Sequence, residues 1–227
     1  MPFKTGMNDK DLKQMKSILD ALEQKGQRGA VLLDVPSTQF VRVNLMLLRG
    51  LSQEKGMSGI FISVDRPHQY IVHLLTMHQI HAERLMFIDA ISRFSADFKV
   101  APANVGFVDG PFHIDRLPTA MGEWANNNGK SVKLQECGFA IIDNLSALLT
   151  YNSFNSVEAF LHNFVSVLES SGNVMVPLIV DSEKSAMLYE SARSLCKGEV
   201  RFKDVQAPTA FASEGPRNMP NISLIKG

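Results

Sequence analysis

The ten residues Cys137-Gly138-Phe139-Ala140-Ile141-Ile142-Asp143-Asn144-Leu145-Ser146 constrain the fold of this chain more than any other stretch. An unbroken run of apolar and small residues leads into an aspartate and a polar turn. Such a run suits a strand covered on both faces, as in the interior of a parallel sheet. In doubly wound α/β proteins ligands sit at the carboxyl ends of the strands, so Asp143 stands where chemistry is expected.

The remaining sequence arranges itself around this strand as alternating helices and strands. Leu12, Met15, Ile18, Leu19 and Leu22 recur at helical spacing over 9–25, with Asn8 as the cap. Strands are expected at 30–34, 60–64, 85–89, 105–109, 174–180 and 199–202, with Pro177 marking an edge, a strand end or a bulge. Helices are expected over 39–54, from Pro67 to His78, over 114–124, over 155–170 with Gly172 as its stop, and over 183–195 capped by Ser182. The stretches 90–103 and 125–131 read as irregular. Strands alternating with helices at this spacing imply βαβ units and a parallel sheet. The resulting division is an N-terminal helix (1–28), an α/β core (29–204) and an extended tail (205–227). A chain of 227 residues holds one sizeable core of this kind.

Charge and cysteine content narrow the function classes. Lys plus Arg number 23, as do Asp plus Glu, so no global field draws the chain to nucleic acid or to an anionic membrane. The two cysteines, Cys137 and Cys196, lie far apart without metal or redox spacing, which implies a reduced, cytoplasmic protein. No apolar run approaches the ~18 residues of a membrane span, and the polar first 27 residues are unlike a signal peptide.

Three stretches, taken in order, carry a resemblance to a known family. Residues 29–51 form a strand, turn and helix; 60–67 a strand and an acidic turn; 138–152 a strand and the segment after it, followed by a long helix and a strand. In this order they resemble the RecA-like ATPases of the KaiC type, including their archaeal single-domain relatives, over roughly 29–202. Phe139 to Ser146 with Leu148-Leu149-Thr150-Tyr151-Asn152 is similar to that family's Walker B strand and the segment after it. Phe87-Ile88-Asp89-Ala90-Ile91-Ser92 adds likeness to its degenerate members. The resemblance implies a RecA-like P-loop NTPase fold: an α/β chain with a mostly parallel central sheet and helices on both faces.

The same resemblance exposes a departure. A phosphate loop needs G-x-x-x-x-G-K-[ST]: glycines that let backbone N–H groups close on phosphate, a lysine for charge, and a hydroxyl for magnesium. The corresponding window is Asp34-Val35-Pro36-Ser37-Thr38-Gln39-Phe40-Val41. Asp34 and Gln39 replace the glycines, Phe40 the lysine and Val41 the hydroxyl, leaving Pro36 as the one familiar feature. Losing two or three charge-assisted or conformational requirements costs roughly 5 kcal/mol, or three to four decades in affinity. Asp34 would also repel phosphate. Gly129-Lys130-Ser131 is no substitute, because Trp124 holds its first-glycine place and no strand precedes it.

The remaining candidates divide between chemical and structural roles. Under the resemblance, Asp143 would support magnesium; its plain role is to accept backbone hydrogen bonds in the following turn. Asp65 falls near the family's catalytic carboxylate, or else complements a helix start. His68, His73, His78 and His81 read as a surface run of histidines, since a turn toward the third strand separates the last two. Ser63 and Ser146 show no triad partner in sequence. Phe154, Phe160, Leu161 and Phe164 read as core or subunit contact.

The resulting expectation is a non-catalytic pseudo-ATPase, a structural or regulatory subunit without a cofactor. It would form a homo-oligomer or join a RecA-like relative, using the N-terminal helix face and the tail for docking. The alternative is an ATP-binding or ATP-hydrolysing relative with an unorthodox loop, taking Mg-ATP with Asp143 for metal and Asp65 as base. Nucleic-acid binding through local Lys and Arg is a weaker third reading.

Overall fold

The computed structural model describes residues 7–25, 28–92, 104–108, 110–112, 114–118, 136–172 and 174–203. Seven strands make one sheet: β1 (Gly29–Asp34), β2 (Ser58–Ser63), β3 (Leu85–Asp89), β4 (Val105–Phe107), β5 (Cys137–Ile142), β6 (Met175–Val180) and β7 (Glu199–Arg201). Their spatial order is β4-β3-β2-β5-β6-β1-β7, and every registered pair is parallel. The apolar run at 137–142 is therefore the middle strand of the sheet. Phe139 and Ile141 enter the core on one face, and Ala140 and Ile142 the core on the other, because successive side chains alternate.

Helices cover both faces. Helices α1 (Asp9–Lys25), α2 (Phe40–Leu48) and α3 (His68–Met77) supply Ile18, Leu22, Met46, Leu47 and Leu75 to one core. Helices α5 (Phe154–Ser171) and α6 (Ala186–Leu195) supply Leu161, Phe164, Leu188 and Ala192 to the other, with the short α4 (Leu148–Tyr151) at its margin. Asn8 caps α1 as expected, its Oδ1 accepting Asp11 N–H at 2.9 Å. Among the described residues no helix is long and apolar enough to cross a membrane.

Several expectations change. The helix over 39–54 is three pieces: a 3₁₀ turn at Ser37–Gln39, α2, and a π turn at Arg49–Glu54 closed by Lys55 N–H on the Gly50 carbonyl. β2 begins at Ser58 and contains Gly59, where a Cβ would lie 2.2 Å from the Phe139 ring. Ser182 does not cap α6, because its hydroxyl and N–H are both given to Asp34; Ser185 occupies the cap position.

Pro177 lies in an interior strand, not at the sheet's edge. The carbonyls of Val174 and Val180 bond Gly29 and Val35 of the β1 segment, so alternate peptide groups face β1 and Pro177 faces β5. Toward β5 the register stops at Phe139↔Met175, where a residue without N–H cannot extend the ladder.

The N-terminal helix is not a free docking element. Its apolar face (Met15, Ile18, Leu19, Leu22) is buried against its own chain. Residues 93–103 and 119–131 and the tail over 205–227 lie outside the described residues.

Candidate functional site

Because the strands run parallel, their carboxyl ends share one edge of the sheet, and aspartates stand along it at 34, 89, 143 and 181. Asp34 and Asp181 fasten two loops reciprocally. Asp34 accepts Ser182 N–H at 3.1 Å and its hydroxyl at 2.9 Å. Asp181 accepts Ser37 N–H at 2.7 Å, and also the N–H groups of Glu183 and Lys184. Burial opposes the charge on Asp181, but these donors outweigh it and hold the carboxyl below its ordinary range.

The rest of the 34–41 window is committed in the same way. Gln39 N–H closes on the Pro36 carbonyl at 2.8 Å, and the Lys184 ammonium reaches the Ser37 hydroxyl at 2.7 Å. Thr38 is exposed, Phe40 is buried in the core, and Val41 packs against it. Arg42 turns away to Asp11 at 2.6 Å and Gln14 at 2.8 Å, tying α2 to α1. A cleft of about 270 Å³ opens beside Asp34, Pro36 and Asp181. The cations in its wall are paired: Arg201 with Glu199 at 2.5 Å and Lys203 with Glu183 at 2.7 Å.

Asp143 caps a neighbouring turn and not its own. It accepts Val64 N–H at 2.9 Å and Asp65 N–H at 3.3 Å, both just past β2, while Asn144 caps the turn that follows β5. Burial raises the Asp143 carboxyl to about 7 against the pull of these donors, with the neighbouring Asp65 charge adding to the rise. Asp65 is exposed; its carboxylate accepts from Asn144 at 3.3 Å and stands 4.0 Å from Arg66. The structure thus brings Asp65, Asp143 and Asn144 together, and places Asp34 with Asp181 in a separate loop pair. Ser146 meets the Ser185 hydroxyl at 3.1 Å, and Ser63 is wholly buried.

The histidines are not one surface run. His68 is 3 % exposed, and its Nδ1 lies 2.6 Å from the wholly buried Asp89. The same carboxylate accepts His68 N–H, Ile91 N–H, and the N–H and hydroxyl of Ser92. Burial works against the charge on Asp89, yet hydrogen bonds from His68 and Ser92 prevail and bring it down to about 2. The His68 ring stands edge-on to Phe107, with centroids 5.5 Å apart. Asp89 at a strand end with Ser92 three residues on was a legible turn signal; its pairing with the histidine that opens the preceding helix was not. Among the described residues no group of histidine, cysteine and carboxylate side chains has the arrangement of a metal site.

Between α2 and the turns after β2 and β5 lies a cavity of about 80 Å³, bordered by Ser37, Phe40, Asn44, Asp65, Asp143 and Asn144. It lies at the carboxyl edge between Ser37, which Asp181 holds, and the group of Asp65, Asp143 and Asn144, where the doubly wound architecture leads one to expect a ligand.

No family model matches the chain, and no curated protein sequence matches it. Solved structures do. The chain is similar to a KaiC-like protein from the hyperthermophilic archaeon Pyrococcus horikoshii OT3, at 11 % identity over 77 % of this chain and 72 % of that one, with a TM-score of 0.53. It is also similar to an uncharacterized Pyrococcus horikoshii protein solved with an unknown peptide, at 12 % identity over 77 % of each chain, with a TM-score of 0.54. At such identities the likeness shows the fold alone: an α/β, RecA-like fold of the KaiC-like kind.

Proposed function

We propose that this chain is a non-catalytic, KaiC-like pseudo-ATPase serving as a structural or regulatory subunit of an oligomer. One observation carries the reading: the Ser37 N–H, in the loop where a RecA-like ATPase would cradle phosphate, is given to the Asp181 carboxylate at 2.7 Å. An internal anion holds the donor that a phosphate would use. A phosphate arriving there would displace a charge-assisted hydrogen bond worth about 1.5–3 kcal/mol and meet repulsion from Asp34 and Asp181.

The residues present do not fit a magnesium triphosphate. Phe40 and Val41 offer neither a cation nor a hydroxyl, and both oxygens of Asp143 accept main-chain N–H groups. No hydrolytic step is assigned to Asp65 on this reading. The role as a subunit rests on the retained scaffold and on the family's habit of assembling head-to-tail, with a second copy or a RecA-like relative as partner.

Light scattering of the purified chain with and without Mg-ATP tests assembly and nucleotide dependence together. The expected result is an oligomer whose mass does not respond to nucleotide. A monomer under both conditions, given no added partner, would remove self-assembly from the reading. A mass that changes with Mg-ATP would contradict the pseudo-ATPase role.

A further inference from the structure

The cavity of about 80 Å³ between α2 and the turns after β2 and β5 contains an incomplete hydrogen-bonding group. Asn44 lines it and is 4 % exposed. Its Nδ2 donates to the Asp143 carbonyl at 2.8 Å, which settles the orientation of the amide, since the opposite one would set two acceptors against each other. The Oδ1 is left buried without a partner. Buried acceptors are ordinarily satisfied, so an orphan beside a cavity marks a place for a donor.

The lining defines the donor's chemistry. Phe40, Leu45, Leu48, Ile71 and Leu74 make apolar walls. The charges at the margin already have partners: Asp65 faces Arg66 and Asn144, and the Asp143 carboxylate takes the N–H groups of Val64 and Asp65. Water alone suits the space poorly. Its volume exceeds the roughly 30 Å³ share of a single water, and ordered waters each need two to four polar partners, whereas Ser37, Asp65, Arg66, Asp143 and Asn144 on its margin already bond within the chain and the remaining walls are apolar.

We propose that this cavity is a binding site for a small uncharged molecule bearing an N–H or O–H donor on a compact branched apolar body. The donor bonds Asn44 Oδ1, and the body rests against Phe40, Leu48 and Leu74. Anions are disfavoured, because the one cation in the lining, Arg66, faces the Asp65 carboxylate and the Tyr70 ring, and two carboxylates border the space. The site requires no phosphate, since its hydrogen-bonding group is Asn44 and its apolar walls come from α2 and α3.

The test uses the whole chain, isotope-labelled, in a heteronuclear NMR titration with isobutyramide as probe. The expected result is saturable shifts of the Asn44 side-chain amide and of the backbone amides of Asp143 and Asn144. The expected dissociation constant is in the millimolar range, which suits a ligand of about six heavy atoms. Isobutyrate has the same shape but carries charge and no N–H, and should give no saturable shift. Leu74→Phe, at a half-buried position, fills the cavity and should abolish the isobutyramide response while the remaining spectrum keeps its native dispersion. Equal response to isobutyrate, unsaturable shifts, or an undiminished response in Leu74→Phe would each overturn the site. Mg-ATP titrated in parallel reports on the pseudo-ATPase reading separately, because failure of that reading would shift Thr38 and Asp181 to Lys184, outside the cavity, whereas the isobutyramide effect is read at Asn44, Asp143 and Asn144.

Discussion

At the scale of single residues, the carboxylates of this protein differ by environment and not by type. Asp89 is wholly buried yet held at about 2, because His68 and Ser92 donate to it; Asp143 is buried and raised to about 7, because burial outweighs its main-chain donors. Their pH dependences therefore have opposite signs. The raised Asp143 disfavours the ionised form in the folded state, so its contribution is full below about pH 4 and declines as pH rises through 7. Urea denaturation of the wild type and of Asp143→Asn should show the wild type losing about 2–3 kcal/mol relative to the variant between pH 5 and pH 8. Equal pH slopes would contradict the assignment.

The lowered Asp89 contributes stability above about pH 4, lost as pH falls through 2. Asp89→Ala leaves His68 and Ser92 without their shared acceptor in a dry site. It should cost about 3–5 kcal/mol at neutral pH, read from the shift in urea midpoint. A cost below about 1 kcal/mol would show that the network is not structural. These partnerships were only half legible in the sequence. Strand-end aspartates stood out, but local spacing cannot say that Asp143 serves the turn after β2, or that Ser182 answers Asp34 from the neighbouring strand end.

At the scale of elements, the sequence was most legible where one period dominates. Helix α1 and strands β1, β3 and β5 fell within a residue of their expected positions because apolar spacing and flanking turns agreed. Legibility ended where tertiary contact overrode the local pattern. Pro177 reads as an edge signal, yet it is accommodated inside the sheet because its missing donor faces the loosely registered side. The π turn after α2 has no local signature; it sets Gly50 against Leu19 of α1, where a Cβ would lie 2.6 Å from a Leu19 methyl. Gly50→Ala should therefore loosen α1 and cost about 1–3 kcal/mol, with faster amide hydrogen exchange confined to residues 9–25. Exchange accelerated uniformly over the sheet would show that α1 is not a separately docked element.

The loop pair belongs to this scale as well. Asp181→Ala frees three main-chain N–H groups at once, those of Ser37, Glu183 and Lys184. It should destabilise the fold by about 2–3 kcal/mol in urea denaturation. If the loop after β1 were held by other contacts, the cost would be near zero.

At the scale of the whole molecule, seven parallel strands with helices on both faces reproduce the RecA-like fold of the KaiC-like neighbours, while the loop after the first strand is tied to the loop after β6. The alternation of strands and helices made that architecture readable from the chain, and the resemblance to KaiC-type proteins rested on the order of its pieces. What occupies the loop was not readable, because Asp181 lies 144 residues from Ser37 and meets it only once β6 is set beside β1. Isothermal titration of the purified chain with Mg-ATP tests the central claim most directly. The account predicts no binding heat at micromolar concentrations and at best a millimolar interaction. A saturable micromolar isotherm would contradict it.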